Sequence, residues 1–289
     1  MKARIKDILT FVKIRIAVSV SISAVLGYIL STTSINFEFF WLWLAVLLLA
    51  SGSGALNQVQ EWQLDAKMQR TKNRPIPRKT FTPKFGLLFS SVLIILGLGI
   101  LLLSSGLSLP FLLGIIAIFV YNAVYTPLKR ISPFAAIPGA LIGAIPPMIG
   151  WTYAGSEIFH PLNIAIALFF FVWQIPHFWL LLILYEDDYR NAGFPVLTEL
   201  LSPLQISRIS FVWIVILVVL SLLTITLLDR FNFLTLLAIL SLGTYLIART
   251  HRMVKVIQPQ TFYRFAFINL NMFVLSVTLI LSFQKILNL

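Results

Sequence analysis

The sequence predicts an all-α polytopic membrane protein. About nine transmembrane helices are expected, with the polar loops on the cytoplasmic face. Three observations predict it. The 289 residues are 59% hydrophobic and only 11% charged, with a mean hydropathy of +0.94. Apolar runs of roughly 18 residues or more recur along the chain, each long enough to cross a hydrocarbon core of about 30 Å as a helix. The short alternating strands of a membrane β-barrel do not appear. A soluble domain of this length has too little interior to hide so many apolar runs.

The spans fall at about 14–31, 38–56, 84–104, 109–126, 136–154, 161–184, 205–228, 232–249 and 264–284. The charged start MKARIKDILTFVKIR before the first apolar run has the layout of a signal peptide. No small-x-small cleavage site follows it, so the run reads as a retained first helix. Two polar loops stand out, 57–83 and 185–204, each after an even-numbered span and therefore on the N-terminal side. The whole chain, 1–289, reads as one transmembrane domain.

Charge supports this layout. Lys2, Arg4, Lys6, Lys13 and Arg15 fall on the N-terminal side, as do Lys67, Arg70, Lys72, Arg74, Arg78, Lys79 and Lys84. Lys129, Arg130, Arg190, Arg208, Arg249, Arg252, Lys255 and Arg264 join them, so only Arg230 and Lys285 lie opposite. By the positive-inside rule the N-terminus is cytoplasmic. The net charge of +12 is then a membrane-topology signal, and with no soluble domain to carry it, nucleic acid is excluded as a partner. The absence of cysteine excludes disulfides, thiolate metal sites and thiol nucleophiles.

The first polar loop opens NQVQEWQLDAKMQRTKNRPIP, residues 57–77. Asn57, Glu61 and Asp65 are spaced i, i+4, i+8. If the second span continues as a helix beyond the membrane, all three project from one side, about 6 Å per step. Hard divalent cations such as Mg²⁺ take such oxygen ligands and share their remaining positions with water and substrate phosphate. Arg70, Lys72 and Arg74 follow, and arginine forks grip phosphate oxygens. Pro75 and Pro77 then turn the chain back. A merely solvated basic loop explains the cations but not carboxylates at helical spacing among them.

The second loop follows WQIPHFW with Glu186-Asp187-Asp188, then Arg190 and the turn AGFP. Three adjacent acids repel one another and call for solvent, protons or metal. Acidic clusters with basic neighbours on one membrane face suit a diphosphate held through Mg²⁺, and the apolar helices suit an isoprenoid tail.

Other residues carry two readings each. Lys129 and Arg130 serve as topology anchors or anion ligands. Tyr121 and Tyr125, one turn apart, serve as interfacial aromatics or partners of phosphate. His177 is an ionisable group inside a span: a functional candidate by default, or a neutral partner of a neighbouring helix. Gln174 lies one turn before it, whereas His160 and His251 read as interfacial. Gly139, Gly143 and Gly150 permit close helix packing, and Pro146-Pro147 break the fifth span or kink it to open a cavity.

The pattern Asn57-x₃-Glu61-x₃-Asp65-x₄-Arg70-Thr71-x₂-Arg74-Pro75 resembles the first motif of the UbiA superfamily of intramembrane prenyltransferases, with Glu61 where most members carry Asp. Three stretches are most similar to the branch that farnesylates haem: the 57–75 segment including Met68, YTPLKRISPFAAIPGALIGAIPPMIGW (125–151), and WQIPHFW with DDYRNAGFPVL. The second motif departs from the superfamily's widely spaced Asp pair, and Asp188 takes the metal position by its place before Tyr189. The resemblance implies helices surrounding a central cavity, with catalytic loops on the cytoplasmic face, and transfer of a farnesyl group from farnesyl diphosphate to a vinyl group of haem B, water supplying a hydroxyl. Asn57, Glu61, Asp65 and Asp188 would hold Mg²⁺. Arg70, Arg74, Tyr125, Lys129, Arg130, His177 and Asp187 would bind substrate, His177 through haem iron or a propionate. A related enzyme prenylating a quinone precursor is the alternative.

Overall fold

The computed structural model describes residues 5–287, and the sequence-placed cations Lys2 and Arg4 lie outside them. It is built from helices alone among the described residues. A short α1 (Ile5–Phe11) leads into α2 (Ile14–Ser31), α3 (Glu38–Asp65), α4 (Pro83–Ser105) and α5 (Leu109–Ile118). The last of these continues through a π-helical stretch (Phe119–Tyr125) into α6 (Thr126–Leu128). Then come α7 (Ala136–Gly139), α8 (Leu141–Tyr153), α9 (Pro161–Leu184) and α10 (Glu186–Ala192). Finally α11 (Pro203–Thr226), α12 (Phe233–Thr250) and α13 (Gln260–Leu287) complete the bundle.

Local chemistry sets several helix starts. Thr82 accepts from the Phe85 N–H just before Pro83, and Ser202 and Gln205 form a reciprocal capping box before Pro203. A side-chain oxygen satisfies an orphan N–H at each start, and the proline has no N–H to orphan.

Eight helices are long and apolar enough to cross a membrane among the described residues. The expected span over 136–154 is instead two pieces, parted at Ala140. The sequence reading put the break at Pro146-Pro147, yet both prolines lie inside α8. At 13 residues, α8 extends about 20 Å, so it needs α7 to approach the length of its neighbours.

Successive spans are neighbours, and α13 returns to α2 to close the bundle, while α8 packs across it on α2 and α9 on α13. The α2–α8 crossing is backbone against backbone. A Cβ at Gly27 would meet the Pro147 carbonyl, and one at Gly150 would meet that of Ala24. The apolar interior is largest around α9, α11 and α13, where Ile214, Leu217, Leu270 and Leu180 are wholly enclosed. Exposed Leu88, Ile95 and Leu103 on α4 face outward, as expected of a lipid-contacting helix.

At one end of the bundle Lys13, Arg74 and Lys129 lie together with Asn57, Glu61 and Asp65. At the other, Lys285 pairs with Asp229, and the Arg230 carbonyl accepts from Gln284. The two cations that the charge count set apart therefore share an end.

Candidate active site

Helix α3 runs on to Asp65, so the condition for Asn57, Glu61 and Asp65 to share a face is met. All three are enclosed, at 2%, 4% and 1% exposure. Each faces a cation. The Asn57 Oδ1 accepts from Lys13 Nζ at 2.6 Å. Its amide donates to Glu61 Oε2 and Thr126 Oγ1, both at 3.0 Å. Glu61 Oε2 also accepts from Lys129 Nζ at 2.6 Å. Arg74 Nη1 reaches both oxygens of Asp65, at 2.8 and 2.6 Å. One acceptor is left over: Glu61 Oε1 is buried without a hydrogen-bond partner among the described residues.

Lys13 entered the sequence reading only as a topology anchor, and the fold makes it part of the site. Its backbone adopts a left-handed conformation, φ 50°, between α1 and α2. That turn costs about 1–2 kcal/mol for a residue with a side chain, and it directs the ammonium to Asn57 and to the Tyr121 hydroxyl at 3.3 Å. Burial pulls the Lys13 pKa down to about 7, and the nearby Arg74 and Lys129 act in the same direction. No spacing signal could have found it, because Lys13 and Asn57 are 44 positions apart.

The π-helical stretch shapes the opposite wall. In a π register the Asn122 carbonyl would accept from residue 127, which is Pro127 and has no N–H. The Thr126 N–H goes to the Tyr121 carbonyl. The Asn122 carbonyl is satisfied instead by Gln60 Nε2 at 2.9 Å, and Asn122 in turn donates to the Ser53 carbonyl at 3.1 Å. The wider turn is thus locked onto α3. Tyr121 and Tyr125 stack with ring centroids 5.9 Å apart, Lys129 lies 5.4 Å over the Tyr125 ring, and Arg130 donates to the Gln60 carbonyl at 2.6 Å.

The two polar loops meet. Asp188 accepts from the Gln69 and Arg70 backbone N–H groups at 3.0 and 2.9 Å. Arg70 lies over the rings of Tyr185 and Tyr189, at 4.7 and 5.4 Å, and donates to the Tyr189 hydroxyl at 3.1 Å. Met68 packs with Ala192 and Phe194 in a small apolar contact under this junction. Burial resists the charge on Arg70 but the tyrosine oxygens outweigh it, raising its pKa. Gly193 supplies the left-handed residue that ends α10, φ 87°, as the AGFP turn requires. An open cleft lies here, lined by Gln69, Arg70, Tyr185, Glu186, Asp187, Asp188 and Gln260.

The acids therefore divide. Asn57, Glu61 and Asp65 form one row. Glu186 accepts from Arg190 and Thr198, Asp187 lines the cleft, and Asp188 clamps the first loop. Among the described residues, no three of the acid, His and Cys side chains cluster closely enough to hold a metal unaided. Deeper in α9, His177 Nδ1 lies 2.9 Å from Asn271 Oδ1 on α13, a partner that sequence reading did not identify.

A helical bundle with acids and cations at one end of an apolar interior is the layout of an intramembrane prenyl transferase. The family profile described as the UbiA prenyltransferase family matches residues 20–276, and the chain belongs to that family. Among curated relatives, the protoheme IX farnesyltransferase of Geobacter sulfurreducens is 42% identical over 184 residues, 64% of this chain and 67% of that protein. The protoheme IX farnesyltransferase of Nitratidesulfovibrio vulgaris is 34% identical over 212 residues, 73% and 74% of the two chains. Solved structures share the fold. A digeranylgeranylglyceryl phosphate synthase superposes with a TM-score of 0.77 at 17% identity, covering 97% of this chain and 98% of that one. A UbiA homolog from Archaeoglobus fulgidus bound to GPP and Mg²⁺ gives 0.64 at 15% identity, covering 96% and 99%.

Proposed function

We propose that this multi-pass membrane protein transfers the farnesyl group of farnesyl diphosphate to a vinyl group of protohaem IX (haem B), giving haem O and diphosphate. The kinship with the protoheme IX farnesyltransferases supports the substrates. The observation that carries the site assignment is the row Asn57-Glu61-Asp65, enclosed and faced by three cations. The quinone-precursor alternative has no such support among these relatives.

The donor set fits Mg²⁺. Glu61 Oε1 is a buried acceptor awaiting a partner, and Asp65 and Asn57 offer further oxygens on the same helix face. Asp188 keeps lone pairs beyond the two used on the loop backbone. When bound there, Mg²⁺ would offset the negative charge that grows on the departing diphosphate. Arg70, Arg74, Lys129 and Arg130 bind phosphate oxygens or haem propionates, and Asp187 lines the entrance. The allylic C–O bond breaks as the vinyl carbon bonds to farnesyl C1. Water then adds to the resulting cation and releases a proton. The stacked Tyr121 and Tyr125 present ring faces that favour positive charge, and the apolar bundle limits access of stray water to the allylic cation. The site opens to the cytoplasm, with the N-terminus on that side; in a bacterial cell the membrane would be the inner one.

Purified protein given farnesyl diphosphate, haem B and Mg²⁺ is expected to yield haem O by chromatography, and a chelator to abolish it. A farnesylated quinone precursor without haem O would overturn this reading. Lys13→Gln removes one charge-assisted hydrogen bond, worth about 1.5–3 kcal/mol, so kcat/KM for farnesyl diphosphate is expected to fall roughly 10- to 100-fold. Unchanged kinetics would return Lys13 to a topology role.

A further inference from the structure

The proposed reaction consumes one water molecule inside a bundle that otherwise keeps water from the allylic cation. A water held in such surroundings needs about two to four polar partners. Gln174, in the middle of α9, supplies an amide that no other group uses. Among the described residues it makes no hydrogen bond, and neither of its polar atoms is enclosed, so a small molecule can reach both.

Packing fixes where this amide lies. Two glycines make two rungs between the α7–α8 segment and α9. A Cβ at Gly139 would meet the Tyr125 ring at 2.5 Å, and Tyr125 stacks on Phe178 at 5.6 Å and 19°. A Cβ at Gly143 would meet Gln174 Oε1 at 3.0 Å. Gln174 and Phe178 are spaced i, i+4, so the amide lies about 6 Å deeper along α9 than the ring stack. Lys129 lies over the Tyr125 ring, which places the cations of the anion site at the shallow side of that stack. The backbone facing Gln174 is polar too. Pro146 and Pro147 lie inside α8, so the carbonyls of Ile142 and Gly143 lack the N–H at i+4 that a helix supplies.

The chemistry needs a water at this depth. When the outer vinyl carbon bonds to farnesyl C1, positive charge forms on the inner vinyl carbon, next to the porphyrin ring. That carbon is a few bonds from the diphosphate, toward the apolar interior. It has two fates. It loses a proton from the carbon beside it and becomes an alkene, or it takes the oxygen of water and becomes the alcohol of haem O. We infer that Gln174 holds this water, an assignment that rests on the proposed reaction. Its amide oxygen accepts one water O–H, and a water lone pair faces the cation and forms the new C–O bond. The surplus proton passes to the released diphosphate, because a neutral amide is too weak a base to keep it.

The test uses full-length protein in detergent with farnesyl diphosphate, haem B and Mg²⁺. Mass spectrometry separates haem O from the alkene, which is lighter by one water, and isotope-labelled water marks the new hydroxyl. Wild type is expected to give labelled haem O with only a trace of alkene. Gln174→Leu is expected to raise the ratio of alkene to haem O by about 10-fold, the effect of one lost hydrogen bond. Gln174→Glu keeps an acceptor and is expected to restore the wild-type ratio. Gly143→Ala leaves Gln174 in place but presses on its oxygen, and is expected to move the ratio in the same direction. A Gln174→Leu enzyme with the wild-type ratio overturns the inference, whether or not its rate falls, and leaves the proposed function standing. So does an equal fall of both products, which marks a purely structural role. If wild type makes no farnesylated haem at all, the proposed function fails and the inference with it.

Discussion

Asp65→Asn is expected to lower kcat for farnesyl transfer by about 100- to 1000-fold, the usual effect of deleting one group that acts on developing transition-state charge. The change is nearly isosteric, so packing around α3 survives. What is lost is negative charge at a position 1% exposed, contacted through both oxygens by Arg74. Two consequences separate on measurement. Loss of a metal ligand moves the Mg²⁺ dependence to higher concentration. Loss of the ion pair leaves Arg74, itself partly exposed, without its counter-charge, and lowers thermal stability. The double variant Asp65→Asn/Arg74→Gln is therefore expected to recover stability and not activity. An Asp65→Asn enzyme within about twofold of wild type would remove Asp65 from the reaction.

Gly150→Ala is expected to destabilise the protein by more than about 3 kcal/mol, beyond the usual cost of a surplus methyl group in a packed interior. The added carbon would meet the Ala24 carbonyl, a backbone atom that no rotamer change can move aside. Helices α2 and α8 would have to separate, and Gly27 against Pro147 lies at the same crossing. Against a total stability of roughly 5–15 kcal/mol, such a loss should show as poor accumulation in the membrane and a much lower unfolding midpoint in detergent. Gly99→Ala is the control, since nothing lies within 4 Å of its Cβ position, and there the helix gains about 0.5–1 kcal/mol. Equal midpoints for the two variants would refute the close crossing.

The i, i+4, i+8 row of Asn57, Glu61 and Asp65 was legible because helical periodicity is local. Its only condition was that α3 continue to Asp65, and it does. The second loop was legible as a cluster of acids but not as three different uses. Glu186 pairs within its own loop, Asp187 faces the cleft and Asp188 holds the backbone of residues 69 and 70. Those partners lie up to 119 positions away in the chain, where no pattern in the sequence links them. The break at Ala140 in place of Pro146-Pro147 has a related cause. Whether a proline ends a helix depends on whether its surroundings tolerate the unpaired carbonyls, which packing decides.

By itself the sequence determined the membrane class, most of the spans, the clustering of cations and the carboxylate row, because each follows from hydropathy, charge or spacing along one helix. Only the tertiary structure decided that Lys13 faces Asn57, that Gln60 locks the π-helical turn, and that Asn271 meets His177. The physical reason is range. A hydrogen bond acts over about 3 Å, and which groups come that close is settled by the packing of helices far apart in the chain.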